Sequence, residues 1–232
     1  MSSEALFDLA EQYEEMLEKG IRLSGEDQQF FIHGRLRDLA KFTVASQTPG
    51  RILDFGCGLG HTAFELSRLF RDAEVVGIDT PPQAIEYARA QHGSNRVSFE
   101  VLDRFVADAS FDLCYCNGVF HHIDPQERDA AMQLAYRSLA PGGKFAIFEN
   151  NPLNPGTRMV MRRIPFDRKA HTLPHWETVR LLKSAGFQVP HRPRFLFYFP
   201  RPLATLRALE PSLVWLPMGA QYWVLGSKPP AE

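Results

Sequence analysis

Apolar positions follow two periods along the middle of the chain. Short apolar runs, typical of buried strands, lie at 51–55, 74–78, 97–101, 111–116 and 144–149. Stretches with apolar spacings of three and four, typical of amphipathic helices, lie at 60–71, 82–92 and 125–139. Strands that alternate with helices in this way predict an α/β fold, a parallel and doubly wound sheet of the Rossmann-like kind.

Both ends of the chain depart from this alternation. Helical spacing over 2–19 and over about 27–45 predicts an N-terminal helical cap. Residues 150–172, rich in Pro and Arg, are predicted to be loop, and a helix should follow over about 174–185.

The last part of the chain predicts two more strands. Aromatic runs at 194–199 and 221–226 should form an antiparallel pair, with 200–218 as an insertion between them. The expected sheet therefore has seven strands and is mostly parallel, with an antiparallel last strand.

Composition limits the function classes. The chain has 232 residues, 44% of them hydrophobic and 23% charged, which suits one sizeable α/β domain. Its 26 Lys and Arg against 27 Asp and Glu give a net charge of −1, so nucleic acid is not favoured as a partner.

The cysteines and the termini suggest a compartment. Cys57, Cys114 and Cys116 form no C-x-x-C pair, so neither a disulfide framework nor a metal site is predicted. The acidic N-terminus does not look like a signal peptide. The apolar stretch 203–224 is broken by charges and prolines, which argues against a transmembrane segment. A cytoplasmic protein is expected.

The run Leu53-Asp54-Phe55-Gly56-Cys57-Gly58-Leu59-Gly60 joins a predicted strand to a predicted helix. Glycines there let the backbone approach a ligand, and Asp79, at the end of the next strand, suits ribose hydroxyls. The dinucleotide fingerprint, however, has a glycine where this chain has His61. An acid, Asp54, also precedes the first glycine. Both departures favour a cofactor that carries a cation over NAD.

Other polar residues follow the same sheet edge. Asp103, Asn117 and Glu149 each lie at the carboxyl end of a predicted strand. Ligands of doubly wound sheets bind beyond the carboxyl ends of the strands, so these residues should meet at one site.

Four motifs together resemble the class I S-adenosylmethionine-dependent methyltransferases, of the type 11/12 kind. These are the glycine run, Val76-Gly77-Ile78-Asp79, Phe111 to His122 in the fourth-strand segment, and Leu139-Ala140-Pro141-Gly142-Gly143 before the fifth strand. They span roughly residues 50–150 in consistent order. The resemblance implies a seven-stranded Rossmann-like fold and S-adenosylmethionine as cofactor.

The resemblance also implies roles for individual residues. Asp54 with the backbone of Gly56 and Gly58 would hold the methionine end of the cofactor. Asp79 would accept from the ribose hydroxyls, and Asp103 from the adenine amino group. The full set of expected cofactor-binding residues is Asp54, Gly56, Cys57, Gly58, Gly60, Asp79, Thr80, Asp103, Asn117 and Gly118.

Residues for catalysis and for the acceptor are less constrained by the pattern. His121 or His122 could act as a base, or could simply be packed where the loop begins. The expected acceptor-binding residues are Tyr13, Asn150, Asn151 and Arg158, although the Asn-Pro pairs there also favour plain turns.

The expected division of the single domain is a cap over 1–48, a cofactor-binding core over 49–150 and an acceptor side over 151–232. The expected function is methyl transfer to O or N of a small molecule, anionic or amphipathic. Two alternatives stay open: a non-catalytic module that binds S-adenosylmethionine or a nucleotide, and an NAD(P) oxidoreductase.

Overall fold

The structure is a computed structural model that describes residues 19–43, 48–163 and 170–231. Most of the first predicted helix, with Tyr13, lies outside the described residues, so its predicted place in the cap is not addressed. Among the helices that are described, none is both long and apolar enough to cross a bilayer.

One mixed sheet forms the centre of the molecule. Its strands are β1 Arg51–Phe55, β2 Glu74–Asp79, β3 Val97–Val101, β4 Phe111–Asn117, β5 Leu139–Asn150, β6 Arg194–Leu196 and β7 Gln221–Ser227. They are ordered β3-β2-β1-β4-β5-β7-β6. Strands β1 to β5 are parallel, whereas β7 runs antiparallel to both β5 and β6. The predicted fold class is confirmed.

Helices cover both faces of the sheet. In the described part of the chain they are α1 Gln28–Thr43, α2 His61–Leu69, α3 Pro82–His92, α4 Arg128–Ser138, α5 Pro155–Arg163, α6 His175–Ser184 and α7 Glu210–Leu213. Shorter 3₁₀ segments lie at Arg22–Ser24, Leu102–Arg104 and Arg201–Leu209.

Helix α5 corrects the prediction of a loop over 150–172. Pro155 is the first residue of α5, where its missing amide hydrogen costs nothing. The Asn154 Oδ1 atom accepts from the Thr157 amide at 2.9 Å, which caps the first turn. The Asn-Pro pair therefore marks a helix start. The region 200–218, predicted only as an insertion, likewise holds a 3₁₀ helix and α7.

Strand β5 begins earlier than predicted, at Leu139 instead of 144. The Pro141–Gly143 segment, which the motif places before the fifth strand, lies within it as an irregularity. The register against β4 shifts between Phe111 and Leu113, and Gly142 has a φ of 81°. A positive φ suits glycine because it has no Cβ.

Alternating strand residues supply two hydrophobic clusters. Ile52, Tyr115 and Trp223 belong to the cluster on one face, whereas Leu53 and Cys114 belong to the other. Such alternation follows from the two-residue period of a strand.

Helix α1 packs on the first of these clusters through Ile32, Leu36 and Leu39. Its Asp38 accepts from Trp223 Nε1 at 2.9 Å and from Arg194 Nε at 2.8 Å. This helix is thereby fastened to the last two strands of the chain.

Candidate functional site

A cavity of about 500 Å³ lies at the carboxyl ends of β1, β4 and β5. The glycine run forms its floor, and α1, α5 and the segment after β6 form its walls. This is the edge at which ligands of doubly wound sheets bind.

Gly56, Gly58 and Gly60 all have left-handed backbone conformations, with φ of 77°, 53° and 86°. The Gly56 and Cys57 amides donate to the Ile78 carbonyl at 2.8 and 3.0 Å, which ties the turn to β2. A Cβ on Gly56 would lie 2.2 Å from Val119 Cγ2, whereas one on Gly58 would meet nothing within 4 Å. Gly56 is therefore required for packing, and Gly58 leaves open space that a ligand can fill.

Gly56→Ala should lower the free energy of unfolding by about 2–4 kcal/mol, because the left-handed backbone and the contact with Val119 both oppose a methyl group. Denaturant unfolding measures this loss. Gly142→Ala is the matched control: it has a similar φ, 81°, with open space around its Cβ, and should lose only about 1–2 kcal/mol. Equal losses in the two variants would contradict the packing role.

Asp79 fastens the glycine run to the end of β2. One oxygen of its half-buried carboxylate accepts from the Gly58 amide at 2.7 Å, and the other accepts from the Thr80 amide at 2.7 Å. Each carboxylate oxygen still has a lone pair for a second donor. The ribose-binding role of Asp79 stays a prediction, and the structure adds a loop-holding role to it.

Asp54 presents an unsatisfied charge to the cavity. Its side chain is buried, and its Oδ2 atom has no hydrogen-bond partner in the described structure. Burial raises the pKa of this carboxyl to about 7, the nearby charge of Asp79 adds to the rise, and Arg35 opposes it. Asn117 Oδ1, also at the cavity, is likewise buried without a partner. Two such acceptors fit a ligand that brings hydrogen-bond donors, including a cation.

Arg35 is a site residue that sequence reasoning missed. It is buried in the cavity wall, with Nε donating to the Tyr115 hydroxyl at 3.0 Å and Nη1 donating to Gln221 Oε1 at 3.1 Å. Its position between Ile32 and Leu39, on the apolar face of α1, was the available signal. A cation on a buried helix face is rare unless it has a partner.

His121 is held by a buried carboxylate. Glu149, on β5, accepts from the Phe120 amide at 2.8 Å through Oε1 and from His121 Nδ1 at 2.5 Å through Oε2. Both side chains are almost fully buried. With Nδ1 donating to Glu149, Nε2 of the neutral ring is left as the proton acceptor. His122 also lines the cavity, with its ring 4.1 Å from that of His121.

The wall away from the glycine run is largely apolar. Phe197 has a φ of 62°, an unfavourable conformation for a bulky residue. Its ring packs 4.9 Å from that of Phe31 and 5.7 Å from that of Phe30. Met159 and Met161 of α5 complete this wall. The strained backbone places an aromatic ring against α1.

Polar side chains interrupt the apolar wall at β5. Asn150 lines the cavity and accepts from Gln221 Nε2 at 3.2 Å through its side-chain oxygen. Asn151, by contrast, is buried and donates to the carbonyls of Pro217 and Gly219, so it holds the loop. Arg158 is exposed on α5 and is not among the lining residues.

The structure thus brings together many of the residues predicted for the site. Those that line the cavity are Asp54, Gly56, Cys57, Gly58, Asn117, Gly118, His121, His122 and Asn150. Those that do not are Gly60, Asp79, Thr80, Asp103, Asn151 and Arg158. Asp103 lines a separate cavity of about 250 Å³ with Pro82 and Arg89. Asn154, in the same loop as Asn150 and Asn151, lines the main one.

Comparison with known proteins agrees with this geometry. A family model described as a methyltransferase domain matches residues 52–143. The chain is 31% identical over 123 residues to the trans-aconitate 2-methyltransferase of Methylobacterium radiotolerans, covering 52% of this chain and 46% of that protein. It is 29% identical over 171 residues to the demethylmenaquinone methyltransferase of Deinococcus radiodurans, covering 72% of this chain and 68% of that protein.

Among solved structures, the fold is similar to that of an S-adenosylmethionine-dependent methyltransferase from Archaeoglobus fulgidus. The TM-score is 0.66 at 17% identity, covering 91% of this chain and 97% of that one. At this identity the likeness concerns the fold alone.

A Rossmann-like sheet of this strand order, with a glycine turn and an acid at the end of β2, is typical of proteins that bind a cofactor containing a nucleoside. Residues 52–143 match the methyltransferase-domain family, so the predicted resemblance to the class I S-adenosylmethionine-dependent methyltransferases is confirmed for this part of the chain. The matched family model and the relatives are methyltransferases, the class of enzyme that the sequence predicts, and S-adenosylmethionine is the cofactor of that class. The chain spans 46% of the length of the first of these relatives.

Proposed function

We propose that this chain transfers the methyl group of S-adenosylmethionine to an oxygen or nitrogen atom of a small acceptor. The observation that carries the proposal is the meeting, in one cavity, of an unpaired acidic oxygen on Asp54 and a carboxylate-held imidazole on His121. The first suits the cationic end of a donor, and the second suits an acceptor that must lose a proton.

The residues present fit the donor. Asp54 would accept from the methionine ammonium, while the open space over Gly58 leaves room for the donor against the backbone. Asp79 lies at the carboxyl end of β2, as a ribose-binding acid should. When bound, S-adenosylmethionine supplies a methyl group already activated on a positive sulfur. The protein's task is then to position the acceptor and to exclude water.

His121 would act on the acceptor as a general base. Its Nε2 would take a hydroxyl or amine proton as the acceptor becomes methylated, and Glu149 would stabilise the resulting imidazolium. Burial excludes water from this pair, which strengthens the charge interaction.

The apolar wall and the cations of the cavity favour an anionic or amphipathic acceptor. Phe31 and Phe197 offer area to an apolar group, whereas Arg35 and Arg207 line the same cavity and suit an anionic group. Two relatives are named for trans-aconitate, which is an acid, and for demethylmenaquinone, which is a quinone. We propose that residues 49–150 bind the donor and that the flanks, 1–48 and 151–232, shape the acceptor side of one domain. A cytoplasmic location stays a prediction.

The proposal is tested in two stages. Calorimetry should show binding of S-adenosylhomocysteine, the product of methyl transfer, and at least 100-fold weaker binding of NADH. Preferential NADH binding would instead support the oxidoreductase alternative. A panel of phenols, carboxylic acids, amines and prenylated quinols should then give release of S-adenosylhomocysteine with at least one member. Tight donor binding with no turnover across that panel would favour a non-catalytic binding module.

A further inference from the structure

The 3₁₀ segment Arg201–Leu209 carries exposed leucines. Leu203, Leu206 and Leu209 recur at every third position. The backbone is kinked at Leu203, which has a φ of −110° and a ψ of 24°, and Leu206 and Leu209 lie one 3₁₀ turn apart beyond the kink. All three side chains are exposed. They concentrate apolar surface on one short segment, unlike scattered surface leucines.

Two arginines of the same segment contact the rest of the protein. Arg201 donates to the Gly25 carbonyl at 3.3 Å, and Arg207 pairs with Glu26 at 2.9 Å. Arg207 also stacks on the Phe30 ring, 4.5 Å from its centroid, and lines the main cavity. Arg207 is thus turned toward the protein, whereas the side chain of Arg201 stays exposed while it holds the Gly25 carbonyl. Leu206 and Leu209, on either side of Arg207 in the sequence, are left on the outside.

Exposed apolar residues continue beyond this helix. Trp215, Leu216 and Met218 are each at least 46% exposed. We call these three residues and the three leucines the apolar ridge. Six of the large apolar residues that are exposed in the described chain therefore fall within 203–218. A concentration of this kind marks a surface that another body covers.

The apolar ridge lies next to helix α5 and the cavity mouth. Asn154 Nδ2, just before α5, donates to the Met218 carbonyl at 2.5 Å, and Thr157 Oγ1 donates to the Ala220 carbonyl at 2.8 Å. On α5, Met159 is both exposed and part of the cavity lining. The end of the ridge at Met218 therefore lies beside the acceptor wall.

Exposed arginines lie on the helix that carries the ridge leucines and on helix α5. Arg158 and Arg163 are exposed on α5, and Arg201 is exposed at the start of the 3₁₀ helix. The acid of the segment, Glu210, is occupied inside it, accepting from the amides of Tyr198 and Phe199 at 3.0 Å each. Apolar side chains flanked by arginines match an anionic lipid surface, where leucine and tryptophan enter the headgroup boundary and cations meet lipid charge.

We propose that the apolar ridge docks this protein on the surface of an anionic lipid bilayer, with the cavity mouth facing the lipid. The docking is peripheral. Docking does not depend on the proposed methyl transfer, since it can be measured without donor or acceptor. It also explains why the segment after β6, which forms a wall of the cavity, has exposed leucines.

Tryptophan fluorescence tests the proposal directly, because the chain has three tryptophans in three settings. Trp215 lies in the ridge and is 57% exposed, Trp176 lies on α6 and is 55% exposed, and Trp223 is 2% exposed. Vesicles of phosphatidylglycerol and phosphatidylcholine should shift the emission to the blue, and brominated lipid should quench it. Trp215→Phe should abolish both effects, and Trp176→Phe should preserve them.

A matched pair of leucine variants gives a second test. Leu206 in the ridge is 40% exposed and Leu69 on α2 is 41% exposed, so neither change should unfold the protein. Leu206→Glu should weaken cosedimentation with these vesicles at least tenfold, whereas Leu69→Glu should leave it unchanged. Equal effects of the two variants, or no vesicle binding by the unaltered protein, would overturn the proposal. A blue shift that grows with protein concentration without vesicles would show instead that a second copy covers the ridge.

Discussion

Asp54→Asn is expected to weaken binding of S-adenosylhomocysteine by about 100-fold or more. The unpaired Oδ2 atom of Asp54 is the buried anion that can meet the ammonium group of the donor. Removing one member of a buried, hydrogen-bonded charge pair costs about 3–5 kcal/mol, and each 1.4 kcal/mol is about a factor of ten in affinity. Calorimetry measures the loss. Asp72→Asn, which removes an exposed carboxylate outside the cavity lining, is the control and should bind normally.

Without ligand, the Asp54→Asn variant should be more stable than the unaltered protein at high pH. With a pKa of about 7 in the folded state against 3.8 ordinarily, Asp54 keeps its proton between pH 4 and pH 7 only in the folded state. Stability therefore falls as the pH rises through this window. Asp54→Asn removes that penalty, and the ligand-free variant should be roughly 2–4 kcal/mol more stable at pH 8, with no difference at pH 4. Lower stability of the variant at pH 8 would contradict burial of an unpaired charge.

Glu149→Gln is expected to reduce kcat by about 10²–10⁴-fold while leaving the affinity for S-adenosylhomocysteine within about threefold. The amide has nearly the shape of the carboxylate and can keep the bond from the Phe120 amide. It cannot stabilise an imidazolium on His121, so proton removal from the acceptor becomes harder. Single-turnover kinetics and calorimetry separate the two effects.

Neighbouring histidines provide the control for this prediction. His121→Asn should lose as much activity as Glu149→Gln, because the two groups act as a unit, and the double variant should lose little more. His122→Asn should lose less than about tenfold, since the Glu149 carboxylate is bonded to the His121 ring. Normal turnover by Glu149→Gln would mean that the acceptor arrives already deprotonated and needs no base.

Much of the fold was predictable because its signals are local. The strand runs and the glycine turn depend on neighbouring residues, so β1 to β4 lie within a residue of where their patterns placed them. Helix α5 was missed because proline and asparagine signal both a turn and a helix start. Only the bond between Asn154 and the Thr157 amide distinguishes the two.

The residues of the site also differ in whether a local sequence signal reveals them. Asp54 and Gly56 could be recognised because their spacing alone fits a strand followed by a tight turn. Arg35 and Phe197 could not, because they reach the cavity only through tertiary packing, Arg35 across to Gln221 and Phe197 across to Phe31. Asn151 illustrates the opposite case. It lies where the sequence predicts an acceptor-binding residue, but its side chain donates to the carbonyls of Pro217 and Gly219.

The ion pair between Arg207 and Glu26 joins two distant stretches of the chain. This pair closes the cavity wall between helix α1 and the 3₁₀ segment, whereas the backbone of the glycine turn is bonded to the Ile78 carbonyl of β2. Sites that share no partners contribute almost independently to stability. The cavity wall formed by α1 and the 3₁₀ segment can therefore accumulate substitutions, and admit acceptors of new shapes, while the part of the molecule proposed to bind the methyl donor stays unaltered.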